Sequence, residues 1–108
     1  MRVLLDESVP RALGYARPNH FVRTAQVAGF AGLTSGKLLA SMKEQDYEVL
    51  ITFDQNLPHQ QSVQLPVGVM VLVAKDNRVN TASAFVPQIL DKLVTMQVGE
   101  LVVLTHQP

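Results

Sequence analysis

Apolar residues along this chain fall into two patterns, short continuous runs and runs with helical spacing. The continuous runs are bounded by charged or turn-forming residues, which is typical of strands covered on both faces. They predict strands at residues 1–5, 47–53, 67–74 and 101–104, and residues 20–24 are interpreted as a fifth strand, second in chain order. Between the strands, apolar side chains recur on one helical face, at Leu38, Leu39 and Met42 and again at Phe85, Ile89, Leu90, Leu93 and Met96.

Capping residues indicate where the first two helices begin. Ser8 can accept a hydrogen bond at a helix start, and Pro10 is tolerated in a first turn. Together they predict a short helix that ends near residues 14–18. Ser35 is the expected cap of a second helix over residues 36–45.

Thr81 is the expected cap of a third and longer helix. This helix is expected to end near Gln97, because Gly99 follows. Polar and turn-forming residues predict loops at 29–36, at 56–64 (with a helical turn) and at 75–80.

Strands and helices alternate throughout, which predicts an α/β fold with a mainly parallel central sheet flanked by helices. The length of 108 residues indicates a single domain, residues 1–108. If the first strand lies beside the third, the sheet reverses its winding direction between them. A ligand crevice then opens at the carboxyl ends of these two strands.

Composition narrows the classes of function. Apolar residues make up 47% of the chain and charged residues 17%, which predicts a folded core. Nine basic and nine acidic side chains cancel, so a nucleic acid would have to bind a local patch. The absence of cysteine excludes disulfides and thiolate metal sites. The N-terminus has no apolar stretch of signal-peptide length before Asp6, and no segment approaches membrane-spanning length, so the expectation is a cytoplasmic protein with no membrane contact.

Acidic side chains follow the first and third predicted strands. Asp6 and Glu7 come directly after the first strand, and Asp54 comes after the third. Carboxylate oxygens suit magnesium or manganese, which can bridge a phosphate and activate a water molecule. Glu7 and Asn56 could extend such a metal site. The alternative is that Asp6 and Asp54 only cap helices and close turns. Their joint position at one edge favours the functional interpretation.

Two further side chains are weaker candidates for contact with nucleic acid. Arg11 follows Asp6 on the first predicted helix, and Gln60 lies in the loop after Asp54. For Arg11 an ordinary solvated surface position is the favoured interpretation, and for Gln60 it is the alternative.

Three segments resemble the small PIN-like domains of the DUF5615 group, which are relatives of PIN ribonucleases and of toxins from toxin–antitoxin pairs. In chain order they are LLDESVPRAL, GFAGLTSGKLLA and VLITFDQNL. The resemblance covers most of the chain. It implies a three-layer PIN-like (Rossmann-like) fold, cleavage of RNA with magnesium or manganese, an antitoxin protein as partner and a homodimer. It also implies that Asp6 and Asp54 are metal-binding aspartates and that Glu7 is the acid following the first one.

Two positions depart from the family pattern. Lys37 stands where the family often carries an acid at the start of the second helix, and Asn56 replaces a second acid after the central strand. An ammonium group cannot ligate a metal, although Lys37 could contact a phosphate as a point charge. A binding or dimerisation module without catalysis is therefore the alternative.

A second resemblance is to response-regulator receiver domains. It rests on the acidic pair after the first strand and on Asp54-Gln-Asn-Leu-Pro58 after the third. It implies that Asp54 accepts a phosphoryl group. Receivers also carry a Ser or Thr after strand four and a Lys after strand five, where this chain has Val73-Ala74 and Leu104-Thr105-His106.

Overall fold

Five strands form one sheet in the computed structural model. The structure describes residues 1–14, 20–57 and 65–105. The strands are β1 (Arg2–Leu5), β2 (Phe21–Thr24), β3 (Val49–Thr52), β4 (Gly68–Val73) and β5 (Leu101–Thr105). Their order across the sheet is β2-β1-β3-β4-β5, and every neighbouring pair is parallel. The five predicted strands and their parallel arrangement are confirmed.

Helices cover both faces of this sheet. They are α1 (Ala25–Ala28), α2 (Ser35–Glu44), α3 (Val79–Ser83) and α4 (Val86–Leu93), with a 3-10 turn at Arg11–Gly14. Side chains alternate across β1, so Val3 and Leu5 pack with the apolar residues of α4 while Leu4 packs with those of α2. The two apolar clusters make three layers, and the predicted three-layer α/β class is confirmed.

The last predicted helix is in fact two helices. Instead of one helix from Thr81 to about Gln97, α3 ends at Ser83 and α4 begins at Val86. Pro87 lies in the first turn of α4, where a missing N–H costs little. In a continuous helix its ring would clash with the carbonyl of Ser83, so the break falls at that residue.

The predicted helix starts also need correction. The segment after Ser8 forms only a 3-10 turn, and the Ser8 hydroxyl bonds to Asp6 instead of capping a helix. The predicted end of that helix, beyond residue 14, lies outside the described residues. Ser35 is the first residue of α2 and not its cap, which is Thr34. Thr81 lies inside α3, whose cap position is Arg78.

Helix α1 was not predicted, because four residues show no helical period. Its start is fixed by Thr24, whose hydroxyl accepts the Val27 N–H at 3.2 Å. Its end is Gly29, with φ at 83°, a left-handed conformation that favours glycine.

The winding direction of the sheet reverses between β1 and β3, as expected. Strand β1 lies between β2 and β3, and the Asp6 N–H continues the pairing by donating to the Ile51 carbonyl at 2.9 Å. The reversal point, where the sequence predicts a crevice, therefore lies at the carboxyl ends of β1 and β3, beside Asp6. None of the helices within the described ranges has the length and apolar character needed to cross a membrane.

Candidate functional site

Two hydroxyl groups hold the Asp6 side chain at the carboxyl end of β1. Asp6 Oδ2 accepts hydrogen bonds from Ser8 Oγ at 2.8 Å and from Thr52 Oγ1 at 2.9 Å. Thr52 ends β3 and is completely buried, whereas Asp6 is half-buried. One carboxylate oxygen is thus anchored, and no described residue forms a hydrogen bond with Oδ1.

The same hydroxyls also accept hydrogen bonds from the chain after β3. The Phe53 N–H donates to Ser8 Oγ at 3.0 Å, and the Asp54 N–H donates to Thr52 Oγ1 at 2.9 Å. Each hydroxyl therefore donates to Asp6 and accepts from the backbone. We call Asp6, Ser8, Thr52 and these two N–H groups the rim network. It connects the ends of β1 and β3 through side chains.

The carboxylate of Asp54 closes its own turn. Asp54 is exposed, and its Oδ1 accepts the Asn56 N–H at 2.9 Å. This is the hydrogen bond of an Asx turn, which the turn interpretation of Asp54 requires. Its second oxygen makes no hydrogen bond with a described residue. Asn56 contacts Asp54 through its backbone, and its side chain is exposed.

Glu7 binds a backbone group of the loop before α2. Its Oε1 accepts the Gly32 N–H at 2.7 Å, and Gly32 has a φ of 81°. Glu7 therefore ties the β1 end to the segment that leads into α2. This contact gives Glu7 a structural task that the sequence did not indicate.

The remaining predicted site residues have no described partner. Lys37 is exposed in the first turn of α2, and Arg11 is exposed at the start of the 3-10 turn. Neither side chain forms a hydrogen bond or an ion pair with a residue of the described ranges. Gln60 lies outside the described residues.

The loop after β4 also reaches the residues that follow the carboxyl end of β1. Asn77 Nδ2 donates to the Ser8 carbonyl at 2.7 Å. Asp76 Oδ1 accepts the Arg78 N–H at 3.0 Å. A hydrogen bond from the Thr81 side chain, followed by the one from Arg78, holds the pKa of Asp76 below its ordinary value of 3.8. This loop therefore belongs to the candidate site, although it was predicted only as a charged loop.

Sequence reasoning missed Ser8, Thr52 and Asn77 as parts of the site. A signal existed for each. Ser8 stands two residues after Asp6, where a hydroxyl commonly bonds an aspartate, and Thr52 is a lone polar residue at the end of an apolar run. Asn77 follows β4 much as Asp6 and Asp54 follow β1 and β3.

A cation at this rim would depend on few protein ligands. Among residues 1–14, 20–57 and 65–105, no three or more His, Asp or Glu side chains are grouped so that they could hold a metal. Magnesium, however, is often bound by only one or two carboxylates together with water and phosphate oxygens. Asp6 Oδ1 and the second oxygen of Asp54 are the two carboxylate oxygens of the rim that accept no hydrogen bond from a described residue.

Comparisons with known proteins give no further guide to this site. No protein-family model, no curated protein and no solved structure matches the chain.

Proposed function

We propose that this protein is a PIN-like domain whose rim binds magnesium or manganese and cleaves RNA. The observation that supports the proposal is the anchored carboxylate of Asp6 at the reversal point of the sheet. Ligands of open α/β sheets bind at this place. The three-layer fold agrees with the family that the sequence resembles.

The rim network is the kind of support that a metal-binding carboxylate needs. Carboxylates that ligate metals are usually oriented by hydrogen bonds from neighbouring groups. Ser8 and Thr52 supply two such bonds to one oxygen of Asp6, and no residue of the described ranges bonds to the other oxygen. A divalent cation held there supplies Lewis acidity toward a phosphate oxygen.

Within this proposal, each residue of the chain has a distinct task. Asp6 and Asp54 are the metal ligands, and Ser8 and Thr52 orient Asp6. Glu7 was expected to be a metal ligand, but we assign it to the position of the loop before α2, because its carboxylate accepts the Gly32 N–H.

The proposed site is expected to bind its cation weakly. Only two carboxylates are offered, and Lys37 and Asn56 stand where the family often carries acids. Magnesium affinity at such sites falls when fewer charged ligands are present. A rim that binds RNA without cleaving it is the corresponding alternative, and activity measurements separate the two.

Manganese binding and RNA cleavage test the proposal together. Manganese titration followed by electron paramagnetic resonance should show a site in the wild type that is weakened in Asp6→Asn and in Asp54→Asn. Asp91→Asn removes an exposed carboxylate of α4 and should leave binding unchanged. RNA cleavage should likewise be weakened in Asp6→Asn and in Asp54→Asn and unchanged in Asp91→Asn.

Two results would contradict the proposal. Wild type that binds no manganese at millimolar concentration has no metal site at this rim. RNA cleavage that is equal in wild type, Asp6→Asn and Asp54→Asn comes from a contaminant, and the protein is then a binding module.

A receiver-like phosphoacceptor is the second candidate, and the strand order favours it. The order 2-1-3-4-5 is that of flavodoxin-like sheets, to which receivers also belong. Asp54 follows β3 and is exposed, as a phosphoacceptor must be. The missing hydroxyl after β4 counts against it, since Val73 and Ala74 stand there. Phosphate on Asp54 after treatment with acetyl phosphate would favour this candidate over a nuclease.

The proposal extends to partners and location. RNA is the proposed substrate, an antitoxin protein the proposed regulator and the cytoplasm the proposed location. We also propose a homodimer, and β5 is the strand best suited to form it. Leu101 and Val103 on this outermost strand are 43% and 56% exposed.

A further inference from the structure

Two cationic side chains stand in the loop between β4 and α3. Lys75 and Arg78 are exposed and flank Asp76 and Asn77. Neither forms an ion pair with a residue of the described ranges. Both cations interact electrostatically with the intervening Asp76, but neither is held in an ion pair, so both can contact a ligand.

A hydrogen bond fixes this loop against the rim network. The Asn77 amide donates to the Ser8 carbonyl at 2.7 Å, across 69 positions of the chain. Ser8 is the residue whose hydroxyl holds Asp6. The loop that carries Lys75 and Arg78 is thus connected to the proposed metal ligand, Asp6, through Ser8.

Asp76 shapes the loop between the two cations. Its carboxylate accepts the Arg78 N–H at 3.0 Å and bonds with the Thr81 side chain, so it is engaged with the first turn of α3. Two cations and one hydrogen-bonded carboxylate leave this loop with a net positive charge. The chain as a whole carries formal net charge zero, so the positive charge is local.

We propose that Lys75 and Arg78 bind phosphates of single-stranded RNA beside the rim network. This inference rests on the proposed function, because it assigns the substrate contacts of the same site. A guanidinium matches two phosphate oxygens, and an ammonium acts as a point charge. Since the carboxylates of the rim repel a polyanion, adjacent cations are needed to hold it. Binding through phosphates is expected to be independent of sequence.

Fluorescence anisotropy with a labelled short oligouridylate tests this inference in the presence of EDTA. The salt dependence of the binding constant is the decisive quantity. For single strands, its logarithmic slope changes by about 0.7 for each phosphate contact. The double variant Lys75→Gln with Arg78→Gln should therefore bind more weakly and lose about 1.4 of the slope.

Two control proteins separate this role from general effects of charge. Lys43→Gln removes an exposed cation from a cleft at the amino ends of the strands, opposite to the rim. Arg2 and Tyr47 also line this cleft. This variant should bind RNA as the wild type does. The exchange Lys75→Arg with Arg78→Lys keeps both charges and should retain most of the binding. It also controls for damage to α3, since Arg78 occupies the cap position of that helix.

The outcomes distinguish this inference from the proposed nuclease. Double-glutamine protein that is folded and binds RNA with the wild-type slope overturns the inference, as does a wild type that binds no RNA at low salt. If binding is lost in that variant while Asp6→Asn cleaves like the wild type, the cation contacts stand and the metal nuclease fails. Competition by inorganic phosphate at RNA-like affinity would mean that a single phosphate is the ligand, which also overturns the claim for RNA.

Discussion

At the scale of single residues, Thr52 has the largest influence on the candidate site. It is fully buried, its hydroxyl donates to Asp6, and its oxygen accepts the Asp54 N–H. One buried oxygen therefore sets the orientation of one proposed ligand and the backbone of the other. Ser8 has the same pair of tasks but is only half-buried.

Replacement of Thr52 by valine should destabilise the protein and impair the site. Valine keeps the shape but leaves the Asp54 N–H without its acceptor and removes one donor from Asp6. Loss of hydrogen bonds to buried or charged groups costs about 1–3 kcal/mol. Urea unfolding measures the change in the free energy of unfolding.

Thr105→Val is the matched control, because Thr105 ends an edge strand and is exposed. It should change the stability by less than about 0.5 kcal/mol. Equal effects of the two substitutions would mean that the rim network contributes nothing measurable.

At the scale of elements, the loop between β4 and α3 joins helix, sheet and site. Asp76 bonds to the first turn of α3, while Asn77 bonds to the β1 end. The geometry of the rim therefore depends on the helix start as well as on the strands.

The stability of this junction should depend on pH through Asp76. Its pKa lies below 3.8 in the folded state, chiefly because of the hydrogen bond with Thr81. The folded state thus binds the proton less readily than the unfolded state, so the stabilisation is complete above the ordinary carboxyl pKa. It decreases as the pH falls through the folded-state pKa.

Unfolding of wild type and Asp76→Asn across the acidic range measures this contribution. The asparagine variant cannot ionise, so its stability relative to wild type should be lowest near neutral pH and approach that of wild type in acid. A stability difference that stays constant with pH would contradict the assignment.

The same elements explain what the sequence could predict. The strands were predictable because buried apolar runs such as VLIT and GVMVLV carry their signal locally. The break before α4 was not recognised, although Pro87 marks it. The place of Asp6 and Asp54 followed from topology alone. Their hydrogen-bond partners did not, because the bond from Thr52 to Asp6 spans 46 positions and leaves no local pattern.

At the scale of the whole molecule, the edge strand β5 carries the most exposed apolar residues of the sheet, Leu101 and Val103. Val102 is nearly buried against the core that includes α4, whereas Val103 is 56% exposed. The strand Leu101–Thr105 carries no charge, and the preceding Glu100 is 3.6 Å from Lys92. Two copies could therefore pair along this edge without repulsion of like charges.

Val103→Lys should convert the proposed homodimer into a monomer. A lysine opposite its symmetry mate would place two like charges at the centre of the interface. Sedimentation velocity measures the oligomeric state. Val27→Lys on α1 is the control, since Val27 is 67% exposed. Helix α1 directly follows β2, which is the edge strand opposite to β5. A wild type that sediments as a monomer at high concentration would refute the dimer.

The interior position of β1 has a consequence for synthesis of the protein. This strand precedes its partners in the chain, yet it pairs on both edges, and β3 reaches it only after more than forty further residues are made. Until then, a growing chain presents Val3, Leu4 and Leu5 with an unpaired strand edge, which is a template for association. A product truncated before β3 would therefore carry Asp6 without any site and would be prone to aggregate.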